Sequence, residues 1–112
     1  MSIEKTLGKI ESVNIGLGGY QDAMMGISFN LSHGGAWGVS DFWGTWGLEI
    51  DSKGTKWTEA DRDAKFAETM RKINRLLIDA KVDNINQLKG KPIEVTCDGM
   101  SMVSWRILTE VL

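Results

Sequence analysis

Residues 58–80, TEADRDAKFAETMRKINRLLIDA, carry the one strong helical signal in this chain. Thr58 is placed to cap the first turn and Asp61, three residues on, to return the contact, a capping box with Asp in the place of Glu. Glu59, Asp61 and Asp63 put negative charge where the helix dipole favours it. Phe66, Met70, Ile73, Leu77 and Ala80 recur at spacings of four, three, four and three, which predicts one apolar stripe. Asp61/Lys65, Glu68/Lys72 and Arg75/Asp79 are spaced for i,i+4 pairs on the solvated side.

Everything on either side of this helix has the period of two that marks strands. Towards the N-terminus, Val13, Ile15 and Leu17 alternate with small or polar residues. Ile10 is out of phase with them, which predicts a bulge near Glu11 and Ser12. Met25, Ile27, Phe29 and Leu31 form one face of a second strand. The third begins Trp37, Val39 and loses its period through Asp41-Phe42-Trp43-Gly44, where a bulge or bend is expected. Gly18-Gly19 and His33-Gly34-Gly35 are the intervening turn signals. A loop from position 47 to 57, containing Asp51-Ser52-Lys53-Gly54, leads into the helix.

Beyond the helix and a short segment over 84–88, Gly90-Lys91-Pro92 restarts the chain as strand. Ile93, Val95 and Cys97 alternate with polar residues, as do Val103, Trp105, Ile107 and Val111. Burying one face of both strands requires Val95 opposite Trp105 and Ile93 opposite Ile107. A two-residue turn at Asp98-Gly99 breaks that parity, so an odd loop such as 99–101 is expected. The same register sets Glu94 against Arg106, a favourable cross-strand pair. The order β-β-β-α-β-β with one main helix defines an α+β chain, either an open antiparallel sheet or an OB-like, partly closed barrel.

The chain has 112 residues and a net charge of −2, with 42% apolar and 25% charged residues. That length suits a single domain spanning 1–112, and the composition is that of a folded, soluble chain rather than a disordered one. No apolar run is long enough to span a membrane, and the N-terminal residues lack the apolar core of a signal peptide. One cysteine and one histidine exclude an intramolecular disulfide, a cysteine-rich zinc site and a two-histidine metal site. No cofactor or metal is expected. Asp22, Asp41 and Asp51 follow no metal-ligand spacing. Cys97, in phase with Ile93 and Val95, reads as a buried small hydrophobe. His33 and Ser40-Asp41 supply nucleophile, acid and base by residue type alone. Gly16-Leu17-Gly18-Gly19 begins like a dinucleotide fingerprint, but Gln21 stands where its third glycine belongs and a strand follows. These absences point away from an enzyme.

What remains is a surface. Trp37, Phe42, Trp43 and Trp46 fall within ten residues on a strand whose faces alternate, so they cannot all point inward. In an OB-like barrel, Tyr20 and Asp22 would sit on the rim between the first two strands. Tyr20, Asp22, Trp37, Asp41, Phe42, Trp43 and Trp46 are therefore the candidate ligand- or partner-binding residues. Aromatics of this kind serve as protein hot spots or as base-stacking platforms. The charge distribution favours the former: residues 1–52 carry a net −4 and residues 53–112 a net +2, the wrong arrangement for aromatic strands that track phosphates. Arg71, Lys72 and Arg75 form a small basic cluster on the helix, a candidate phosphate contact that oligomerisation could bring beside the aromatics.

The segments 18–29 (GGYQDAMMGISF), 37–46 (WGVSDFWGTW), 56–62 (KWTEADR), 90–99 (GKPIEVTCDG) and 104–112 (SWRILTEVL) resemble those of a group of small proteins encoded by phages and prophages. The resemblance covers most of the chain, and no functional motif comes with it. It implies expression in the cytoplasm of a bacterial host. It also implies roles in handling single-stranded DNA, or in disabling a host defence by binding a protein or sequestering a nucleotide signal. The expectation is therefore a non-catalytic phage-type binding protein that blocks a host factor or sequesters a small nucleotide-like ligand through an aromatic, acidic surface. The alternative is an OB-like single-stranded nucleic-acid binder.

Overall fold

The computed structural model describes residues 3–33, 38–50 and 57–112. Trp37, the Gly34-Gly35 turn and the Asp51-to-Gly54 loop lie outside the described residues. Five antiparallel strands form one half-barrel sheet, β1 (Ile3–Gly18), β2 (Met24–His33), β3 (Gly38–Trp46), β4 (Pro92–Asp98) and β5 (Ser101–Ile107), in the order β3-β2-β1-β4-β5. One long helix, α1 (Glu59–Ala80), is inserted between β3 and β4 and packs against β3 and β5, the two sheet edges. Short 3-10 turns at Tyr20–Asp22, Ile85–Leu88 and Thr109–Val111 complete the chain. This is the expected α+β order.

The long first strand serves two partners because it bends. Its first half pairs with β4 and its second with β2, and Ile10 pairs with Leu31 while Ser12 pairs with Asn30. Glu11 is the extra residue. The bulge switches the inward face from even to odd positions, so Ile10 and Val13 both reach the core, as the phase of Ile10 predicts. Ile10, Ile27, Phe29, Leu31, Ile93, Val95 and Ile107 from the sheet close over Leu76 and Ala80 from α1 and Leu88 from the second 3-10 turn. Cys97 is buried among them.

Two expectations about the strands are corrected. The strand β3 has no bulge: its register with β2 runs unbroken from Gly38 to Trp46. Odd positions face inward throughout, and the period is obscured because two of them, Asp41 and Thr45, are polar. On the outer face Gly26 lies opposite Gly44, and the backbones come so close that a Cβ on Gly26 would fall 2.0 Å from the Trp43 carbonyl oxygen. The β4–β5 turn does have two residues, Gly99-Met100, with Asp98 paired to Ser101. Parity is restored inside the strand, where Cys97 pairs with Met102 and Thr96 with Ser104, leaving Val103 bulged and exposed. Beyond that bulge Val95 faces Trp105 and Ile93 faces Ile107, and Arg106 Nε donates to Glu94 at 3.1 Å.

The helix begins as predicted: Asp61 N–H donates to Thr58 Oγ1 at 3.1 Å and Thr58 N–H to Asp61 Oδ2 at 2.8 Å. Its apolar stripe meets the core as predicted at Ile73, Leu77 and Ala80, with Met70 the exception. Met70 is 65% exposed, while Arg62, Thr69, Leu76 and Ala80 are buried. Arg62 can be buried because Glu59 pairs with it at 3.1 Å, the Ile50 carbonyl accepts from it, and its guanidinium lies 4.7 Å from the Trp57 ring centre. The Thr69 hydroxyl donates to the Lys65 carbonyl at 2.9 Å, the back-bond that lets a threonine enter an apolar face. None of the i,i+4 pairs anticipated on the solvated side forms among the described residues. Lys65 turns instead to Glu68 at 3.2 Å.

Candidate functional site

No ladder joins β3 to β5, and the gap between these edges is closed by side chains. Trp43 from β3 and Trp105 from β5 stack with ring centres 5.6 Å apart and planes 11° from parallel. Fully buried Phe29 lies beneath, at steep angles to both, 4.6 Å from Trp43 and 5.0 Å from Trp105. Asp41, two residues before Trp43 on the same face of β3, fixes both indoles. Its Oδ2 accepts the Trp43 N–H at 3.2 Å and the Trp105 N–H at 2.7 Å, and its Oδ1 accepts the Phe42 backbone N–H at 2.8 Å. With its acceptors committed inward, Asp41 orients the aromatic pair and is poorly placed to meet a partner.

The helix crosses this seam with residues spaced three and four apart on one face. Lys72 Nζ sits 4.3 Å from the Trp43 ring centre, within cation–π range. Arg71 and Arg75 stand beside it, one turn apart, roughly 6 Å along the axis. Together with Trp43 and Trp105 they line a cleft of about 410 Å³, whose apolar wall is Leu76 and Ile107 and whose carboxylates are Glu68 and Asp79.

Arg106 also lines the cleft, but its donors are spent: Nε on Glu94 at 3.1 Å, Nη1 on Glu110 at 2.9 Å and on the Ile107 carbonyl at 3.2 Å, Nη2 on Glu110 at 2.7 Å. The hydrogen bond to Glu110, and then the one to Glu94, hold its guanidinium pKa well above the ordinary arginine value. The Arg106 hydrogen bond, followed by a backbone one, lowers the Glu110 carboxyl to about 2. Neither Arg71 nor Arg75 makes an ion pair among the described residues, so these two and Lys72 are the cations left to a ligand.

The fold thus unites Trp43 with Arg71, Lys72 and Arg75 inside one chain, a meeting that the sequence reading left to oligomerisation. The aromatic surface beside the helix is cationic, which corrects the expected acidic character at this place. The other candidates lie elsewhere. Phe42 is on the outer face, its ring over the Gly26 and Gly44 backbones. Trp46, also outward, meets Tyr20 edge-on at 6.2 Å. Asp22 borders a second cleft, of about 550 Å³, with Leu17, Met25, Leu48, Glu49, Ile50 and Phe66.

Sequence reasoning passed over Trp105, which its alternation assigns to the core. The missing signal was topological: β5 is an edge, so an inward residue there need not be covered. Leu48, Glu49 and Phe66 were missed because they meet Leu17 and Met25 only in space. Among the described residues no three His, Cys, Asp or Glu side chains gather to hold a metal ion, and no helix is long and apolar enough to cross a membrane. No known protein family, curated protein or solved structure matches this chain.

Proposed function

We propose that this chain is a non-catalytic binding protein that sequesters a small nucleotide-like ligand at the Trp105–α1 cleft. The observation that carries this reading is the convergence of Arg71 and Arg75, two cations that make no ion pair among the described residues, on a cleft floored by Trp43 and Trp105. An aromatic floor accepts a base by stacking, worth about 1–3 kcal/mol per base. Paired guanidiniums suit phosphate oxygens, with planar forks that engage them two at a time. A volume of about 410 Å³ falls within the usual range for small-molecule sites, roughly 300–1,000 Å³. In the phage setting implied by the sequence resemblance, such a protein acts in the bacterial cytoplasm by withholding a nucleotide signal from the host.

A second reading, an OB-like binder of single-stranded nucleic acid, draws support from the half-barrel and its open edge. The confinement of Lys72, Arg71 and Arg75 to little more than one helical turn favours one or two phosphates over a tracked backbone. Intrinsic tryptophan fluorescence separates the two. ATP, GTP and an unstructured oligothymidine are each titrated at low and moderate salt. Saturable quenching by a mononucleotide, weakened about tenfold or more by Arg71→Glu combined with Arg75→Glu, is the expected result. Binding of the oligonucleotide alone, falling steeply with salt, would transfer the site to the second reading. No response to any of the three would refute both.

A further inference from the structure

We propose that the cleft between the β1–β2 turn and the first half of α1 docks another protein, through an apolar segment flanked by lysine or arginine. This site is separate from the tryptophan cleft and does not depend on the nucleotide reading. It exists because the apolar residues by which α1 meets the core, Ile73, Leu76, Leu77 and Ala80, all lie in its second half, while the buried residues of its first half are Arg62 and Thr69. Towards the helix start the inner face of the sheet is only partly covered: Thr45 is buried, while Met25 opposite it is not. Leu17 and Met25, paired across β1 and β2, are 66% and 37% exposed there, and Leu48, just beyond β3, is 77% exposed. With Ile50 and Phe66 they wall a cleft of about 550 Å³, larger than the one beside the tryptophans. Exposed apolar side chains scattered singly need no explanation, whereas a group walling one hollow marks a place where something binds.

The rim sets the sign of the partner. Among the described residues the charged groups lining the cleft are Asp22 and Glu49, both carboxylates, with no cation beside them, and neither makes an ion pair there. Asp22 is held there by an unusual backbone. Gln21 and Asp22 both have φ of 54°, in the left-handed region, which costs a non-glycine residue about 1 kcal/mol or more. The turn is closed by Asp22 N–H on the Gly19 carbonyl at 3.2 Å and Ala23 N–H on the Tyr20 carbonyl at 3.1 Å, and is tied to the end of β3 by Gly47 N–H on the Ala23 carbonyl at 2.9 Å. Apolar anchors with an acidic rim complement a segment of opposite charge, which gains encounter rate and register from the rim and affinity from the anchors.

The test uses two labelled peptides with the same leucine and phenylalanine anchors, one flanked by lysines and one by glutamates, titrated into the full chain by fluorescence anisotropy. Methyl NMR on Leu17, Met25 and Leu48 reports the site. The lysine-flanked peptide is expected to bind, shift those methyls, and bind about tenfold more tightly than its acidic counterpart. Leu48→Asp should abolish binding, and Asp22→Lys should narrow or reverse the preference between the peptides. Both residues are exposed, and circular dichroism confirms that the variants fold. Equal affinity for both peptides, or binding unmoved by Leu48→Asp, overturns the proposal. So does a self-association in sedimentation that Leu48→Asp removes, which would make a second copy the occupant. A cleft closed to both peptides, with Leu48 methyl contacts to residues 51–56 of its own chain, overturns it as well.

Discussion

Asp41→Ala removes one carboxylate from the seam between the sheet edges, and its consequence can be worked out bond by bond. Three N–H groups lose their acceptor: the indoles of Trp43 and Trp105 and the backbone of Phe42. A hydrogen bond to an ionised group contributes about 1.5–3 kcal/mol, so full loss of three would approach 4.5–9 kcal/mol. Trp43, Phe42 and Trp105 are each only half-buried, so water reaches the freed donors and offsets much of this. A net cost of about 2–3 kcal/mol is expected. Asp41→Asn keeps an oxygen for the indoles but turns an amide donor towards the Phe42 N–H, and should cost about 1 kcal/mol. Urea unfolding followed by far-UV circular dichroism measures both. Trp105→Phe supplies the control, since it keeps a ring and deletes the N–H. If Asp41 acts through that donor, Asp41→Ala and Trp105→Phe should couple by about 1 kcal/mol in a double-mutant cycle. The near-UV signal of two nearly parallel indoles should also collapse in Asp41→Ala. A loss below about 0.5 kcal/mol in Asp41→Ala, or additivity in the cycle, would refute this account of the seam.

Three further outcomes follow from local geometry. Gly44→Ala would put a Cβ 2.2 Å from the Met25 carbonyl oxygen, whereas the nearest atom to a Cβ on Gly16 is 3.9 Å away; the first should unfold the chain or cost about 3 kcal/mol or more, and the second should stay within about 1, as urea midpoints will show. Leu76→Ala should cost about 2–4 kcal/mol and Met70→Ser under about 0.5, a contrast that thermal melts can read and that reverses if the apolar stripe of the sequence is the buried one. The Glu110 carboxyl is depressed from its ordinary 4.5 to about 2, so its bond to Arg106 contributes stability above the unfolded pKa that is lost as pH falls through about 2. A carbon-detected NMR titration should find that low midpoint, and Arg106→Gln should return it to the ordinary glutamate range.

Features whose partners lie close in sequence, or whose phase is unambiguous, were legible. The Thr58–Asp61 box spans three residues, the Glu11 bulge is forced by the phase of Ile10, and the β4–β5 register follows from Val95, Trp105 and the Glu94–Arg106 pair. The parity argument at the following turn was sound, but parity says only that one extra residue exists. The chain put it at Val103 in the strand rather than in the loop. The helix stripe held at Ile73, Leu77 and Ala80 and failed at Met70. Hydrophobicity nominates Met70, while the fold selects Arg62 and Thr69, because the Ile50 carbonyl, the Trp57 ring and the Lys65 carbonyl partner them where α1 lands, although the Arg62 Nε finds no acceptor among the described residues. Charge along the chain misjudged the site in the same way. Trp43 belongs to the acidic half by sequence and to the Arg71, Lys72 and Arg75 cluster by contact.

The seam explains why the aromatic pair and the cations coincide. Closing a half-barrel without a ladder leaves two edges whose inward side chains have no cover from a neighbouring strand, and large rings bridge that span. A long helix must then cross the gap, and the face it turns to the rings ends in lysine and arginine, whose apolar stems pack while their charges reach water. A ligand seated there, as proposed, would touch β3, β5 and α1 together, bridging two strands that no ladder joins. Its binding energy therefore adds to closure of the barrel, by about 2.7 kcal/mol at one hundred times the dissociation constant. The same linkage runs backwards: any change that opens the seam, such as loss of the Asp41 carboxylate, must lower ligand affinity even though Asp41 never meets the ligand.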